Sequence, residues 1–114
     1  MYLEKSFYSL TPKKNSFIDN LVSKLSTSIL SKNILEKILN IDDNNKDIEY
    51  VNGKIGLDKI KSICNNSKNS IAFILKPFSI NIIKEIANNN FIMPPKSTYI
   101  EPKLRSGIIL FSWK

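Results

Sequence analysis

Ile71-Ala72-Phe73-Ile74-Leu75 is an unbroken apolar run closed by Lys76-Pro77. A run this short, with Ile and Phe prominent, predicts a strand buried on both faces rather than a helix. Pro77 has no N–H for a ladder, so the strand ends there. Beyond it, Ser79 is placed as an N-cap for a helix carrying Ile80, Ile83, Ile86 and Ala87 on one face. Before the run, Leu57, Ile60, Ile63 and Cys64 share a face of another helix, which frays in Asn65-Asn66-Ser67-Lys68-Asn69. Cys64 on that apolar face reads as a core thiol.

Further upstream, Ile48-Glu49-Tyr50-Val51 predicts a short strand closed by the turn pair Asn52-Gly53. The loop Asp42-Asp43-Asn44-Asn45-Lys46 precedes it, polar and exposed, with too few oxygens for a metal. Phe17, Leu21, Leu25 and Ile29 recur every four residues, and Ile34, Leu35, Ile38 and Ile41 continue the stripe. Ser26-Thr27-Ser28 is expected to separate two helices there, the second running from Ser28 to Leu39. Tyr2 to Leu10, aromatic and roughly alternating, predicts an edge strand ended by Pro12. Gly107 opens a last strand, Ile108-Ile109-Leu110-Phe111. The expected order is β-α-α-β-α-β-α-β. That is an α/β (or α+β) domain spanning residues 1–114, with a small mixed or parallel sheet of about four strands and helices packed on it.

The 114 residues are 42% hydrophobic and 24% charged, enough for one core with little margin. No apolar run approaches the roughly 18 residues of a membrane span, and Met1-Tyr2-Leu3-Glu4-Lys5 lacks the pattern of a secretory leader. A cytoplasmic protein is expected. One cysteine excludes an internal disulfide or a Cys-based zinc site, and the absence of histidine removes the commonest base and metal ligand. No metal and no cofactor is expected.

A net charge of +7 ordinarily raises nucleic acid as a partner. Here 16 of the 17 basic residues are Lys, and Ile, Lys and Asn together supply 49 of the 114 residues. All three have A/T-rich codons, so base composition accounts for the lysines and a nucleic-acid role is the weaker reading. The same bias sets off residues 91–114. All 14 asparagines lie before Phe91, whereas the last segment holds Arg105, Trp113 and three of the five prolines. Trp113 reads as a packing anchor. Within the segment stands Met93-Pro94-Pro95-Lys96-Ser97-Thr98-Tyr99-Ile100-Glu101-Pro102-Lys103-Leu104-Arg105-Ser106-Gly107. Its prolines stiffen the loop. Between them sit the cations Lys96, Lys103 and Arg105, the hydroxyls Ser97, Thr98 and Ser106, and the carboxylate Glu101. Anionic oxygens want that inventory, so phosphate or carboxylate is the ligand class it points to. The plainer alternative is a rigid surface connection, with Glu101 paired to Lys103 or Arg105. Catalysis would fall to Ser97 as nucleophile and Glu101 as base.

Met93 to Gly107 also resembles the most recognisable stretch of the bacterial and archaeal family called domain of unknown function 1015. Ile29-Leu30, Ile34-Leu35 and Leu39-Asn40-Ile41 resemble its helix ending in Leu-Gly-Ile. Ile48 to Gly53 resembles its short strand and turn, and Ala72 to Pro77 its buried strand. Family members are several times longer, so the resemblance implies the C-terminal portion of such a protein, as a fragment or from a reduced gene. The family's Ala-Asp-x-Gly reads Ala87-Asn88-Asn89-Asn90 here, and the Arg of its glycine-rich turn reads Ile55. Its neighbourhood with serine-biosynthesis genes, and a suggested kinship with ParB-like folds, imply a phosphoserine-like ligand. The readings carried forward are a domain binding a small phosphorylated metabolite, a basic nucleic-acid-binding domain, and a structural domain completing a separately encoded N-terminal portion.

Overall fold

A computed structural model describes residues 1–99 and 101. The chain opens with a hairpin in which β1 (Tyr2–Leu3) and β2 (Ser6–Phe7) pair antiparallel, Tyr2 opposite Phe7 and Leu3 opposite Ser6. Glu4 and Lys5, between them, have φ of 48° and 63°. Two positive-φ residues give the twist a two-residue hairpin needs. The stretch expected as one edge strand therefore folds back on itself. Tyr8 N–H donates to Met1 O at 2.8 Å and the Met1 amine donates to Tyr8 O at 2.9 Å, extending the pairing.

On the other side of β1, Tyr2 and Ala72 exchange both backbone hydrogen bonds, at 2.8 and 3.0 Å, in an antiparallel bridge. The apolar run thus reaches the sheet at one residue rather than along its length.

Helix α1 (Ser26–Leu30) continues directly into a π-helical segment, Ser31–Glu36. Leu39 N–H reaches Ile34 O at 2.9 Å, a span of five residues that widens the turn. Ser26-Thr27-Ser28 is the first turn of α1, not a separator. The stretch from Phe17 to Lys24 forms turns instead of the expected first helix. Asn20 Oδ1 accepts from Ser23 N–H at 2.8 Å, a local closure that competes with helical bonding.

A 3-10 turn, Gly53–Ile55, is capped by Asn52, whose Oδ1 accepts from Lys54 N–H at 3.0 Å. Gly56 follows at φ 79°, where a side chain would be strained, and leads into α2 (Leu57–Asn66). Helix α3 (Ile80–Asn88) starts at Ser79, whose Oγ accepts from Ile82 N–H at 3.3 Å. It ends with Asn90 at φ 56°, while Phe91 N–H bonds Ile86 O and Asn90 N–H bonds Ala87 O, both at 3.0 Å. This is a Schellman close with Asn in the position usual for Gly.

The fold is therefore a mixture of helix and strand of the α+β kind. Among the described residues the sheet has two strands, not about four, and the expected strand–helix alternation does not hold. Ile48–Val51 forms no strand; Tyr50 is instead tied back by its hydroxyl to Asp43 O at 2.9 Å. The strand expected at residues 108–111 and Trp113 lie outside the described residues.

Among the described residues Tyr2, Leu25, Leu35 and Ile86 are the buried apolar side chains. Tyr2 organises one end: its ring lies 4.8 Å from that of Phe7, and its hydroxyl donates to Asn65 Oδ1 of α2 at 3.0 Å. Lys61 of α2 stands 5.6 Å from the Phe7 ring centroid, so α2 lies over the hairpin. Cys64 is half-buried on α2. Large apolar side chains such as Ile18, Ile38, Ile80 and Ile92 remain exposed. The radius of gyration is 16.9 Å, against about 13 Å for a compact domain of this length.

Candidate functional site

The loop that follows α3 is shaped by its prolines. Pro94-Pro95-Lys96-Ser97 makes a tight turn in which Pro95 presets φ and Lys96 takes φ 56°. Ser97 Oγ donates to Pro94 O at 2.6 Å and closes that turn. Lys96, Thr98 and Tyr99 project from it exposed, with Ser97 half-buried. Glu101 forms an ion pair with Lys54 of the 3-10 turn, both side chains largely in solvent. An exposed pair of this kind contributes about 0–1 kcal/mol. Its interest is positional, because it ties the loop to the turn ahead of α2.

The structure thus gathers Lys96, Ser97 and Thr98 on one turn and adds Lys54 to Glu101. Lys103, Arg105 and Ser106 lie outside the described residues. Ser97 gives its hydrogen to Pro94 and Glu101 takes Lys54, so no hydrogen bond joins the two catalytic candidates. Lys54 was not among the residues singled out from sequence. Nothing in the sequence marks it, because the pairing joins positions 47 apart.

Asp42 and Asp43 serve their own loop. Asp42 Oδ1 accepts from Asn44 N–H and Asp43 Oδ1 from Ser31 Oγ, each at 2.8 Å. Burial first, then the charges of Asp43 and Asp42, push the Tyr50 phenol above its ordinary value of 10.0. Among the described residues no cluster of three or more His, Cys, Asp or Glu is placed to hold a metal. No helix of the described residues is long and apolar enough to cross a membrane.

Two shallow clefts, of about 250 and 230 Å³, lie along α1 and the π-helical segment. The first is lined by Glu36, Asn40, Ile41 and Asp42; Phe17, Ser28 and Lys32 help line the second. Neither includes the loop, and both fall below the roughly 300 Å³ at which small-molecule pockets begin.

The chain matches no known family model, no curated protein and no solved structure.

Proposed function

We propose that this chain binds a small phosphorylated or carboxylated metabolite, phosphoserine-like, where the Pro-stiffened loop meets the turn at residues 52–55. The observation that carries this reading is the Lys54–Glu101 ion pair. It brings a cation from outside the loop beside a stretch that already holds Lys96, Lys103 and Arg105, and it occupies Glu101 as an orienting carboxylate. The three loop cations hold the anionic groups, while Thr98 and Ser106 donate hydrogen bonds. Ser97 joins them by giving up Pro94. The proposal is for binding without turnover, since the carboxylate of the resembling family's Ala-Asp-x-Gly is replaced by Asn88.

Titration calorimetry with phosphoserine tests it. Lys54→Ala and Lys96→Ala are each expected to weaken binding by about 1 kcal/mol, the upper range for an exposed charge. Arg105→Ala is expected to cost about 1.5–3 kcal/mol, as for a hydrogen bond to a charged group. Unchanged affinity in all three variants overturns the assignment.

A second reading is a structural domain that completes the N-terminal portion of a longer family protein. The shortage of buried apolar side chains among the described residues favours it: Ile92 is 86% and Ile38 71% exposed. Burying such side chains is worth about 1.5–3 kcal/mol each. Co-expression with that portion should yield one complex on gel filtration; two separate peaks exclude it.

A further inference from the structure

Among the described residues the sheet has an open edge. In the Tyr2–Ala72 bridge both polar groups of Ala72 face β1, so the N–H and C=O of its neighbours Ile71 and Phe73 point to the opposite side. Among the described residues neither has a backbone or side-chain hydrogen-bond partner, and the same holds for Ile74 and Leu75. Ile71 and Phe73 are half-buried and Ile74 and Leu75 exposed, so the edge is apolar as well as unpaired. A strand edge of this composition is a template for another extended chain.

Charge says what kind of chain. Lys68 and Lys76 flank the run on either side, and between Asp58 and Glu85 the sequence holds five lysines and no acid, of which Lys61 pairs with Asp58 at 3.1 Å. A second copy would bring the same positive charge to the edge and be repelled; an acidic segment would be drawn in.

We propose that the Ile71–Leu75 edge is a docking site for an extended apolar segment of a partner polypeptide with acidic residues at its ends, added as a strand beyond Ala72. The docked strand takes the outward N–H and C=O groups of Ile71 and Phe73, sets apolar side chains against Ile74 and Leu75, and places its carboxylates near Lys68 and Lys76. This is independent of the anion site and sharpens the second reading above to one edge.

The test uses the full chain and two synthetic peptides with one Val-Thr alternating core, one flanked by Asp and the other by Lys. In the free chain the amides of Ile71 and Phe73 should exchange freely while that of Ala72, bonded to Tyr2, is protected. The Asp-flanked peptide should slow Ile71 and Phe73 by at least about ten-fold. It should also bind about ten-fold more tightly than the Lys-flanked peptide at about 0.05 M salt, a gap that closes near 1 M. Phe73→Pro, which deletes one outward N–H, should abolish the binding, and exchange in the unsubstituted chain gives the answer even if that variant fails to fold. Protection of Ile71 and Phe73 in the free monomer would mean the chain covers its own edge. Protection that grows with protein concentration would mean a second copy does. Either result overturns the proposal, as does equal binding of both peptides or of neither. A complex with the family's N-terminal portion that leaves Ile71 and Phe73 exchanging freely would sink the edge and keep the second reading.

Discussion

Tyr50 shows how a single hydroxyl replaces an expected strand. Its phenol donates to Asp43 O, and burial with two nearby carboxylates disfavours the phenolate. The folded state therefore holds this proton more tightly than the unfolded one. The associated stability is present below pH 10.0 and is lost as pH rises through the raised folded value. The sequence has four tyrosines, and in an alkaline absorbance titration Tyr50→Phe should remove amplitude from the late, high-pH part of the curve; loss from its early part contradicts the shift. Thr27 supplies the opposite case. Its Oγ1 is buried and has no hydrogen-bond partner among the described residues. Such a group costs about 1–3 kcal/mol, so Thr27→Val should stabilise the chain by about 1 kcal/mol in urea unfolding. Destabilisation would mean that the hydroxyl is satisfied after all.

At the scale of elements, α3 repays closest attention. Ile86 is 1% exposed, and its carbonyl also closes the Schellman turn with Phe91. Ile86→Ala should cost about 2–5 kcal/mol in chemical unfolding; a loss below 1 would place the core elsewhere. This helix was legible because its signals are local: a serine cap, an apolar face, and an Asn that tolerates a left-handed close. Helix α2 was legible from its apolar face alone, because Gly56 ahead of it offers no side-chain cap. The strands were not, because a strand is defined by its neighbour, and alternation at Tyr2–Leu10 carries no word about where it folds back. Glu4 and Lys5 take the turn conformation without the Asn-Gly or Asp-Gly that would have announced it. Apolar spacing from Phe17 to Ile29 likewise predicted helix where Asn20 closes a local turn. Of the candidate site, the Lys96–Thr98 turn was readable from its prolines, whereas Lys54 reaches Glu101 across 47 positions of sequence.

At the largest scale, the few buried apolar side chains among the described residues and the large radius of gyration belong together. Among the described residues, exposed isoleucines and an unpaired edge leave apolar area of the kind that marks an interaction surface. Its +7 charge biases the encounter toward acidic surfaces and anions. The proposed anion site and the proposed docking edge sit on different parts of the chain: one at the loop beyond α3 with Lys54, the other between α2 and α3.

The most direct measurement of the central claim is the melting temperature of the full chain with phosphoserine, serine, inorganic phosphate, nucleotides and a short oligonucleotide, each run with and without Arg105→Ala. A ligand that binds only the folded chain adds about 2.7 kcal/mol at a hundredfold excess over its Kd. The expected result is a rise with phosphoserine that exceeds those with serine and phosphate and disappears in Arg105→Ala. A rise with the oligonucleotide alone, or none with phosphoserine, would contradict it.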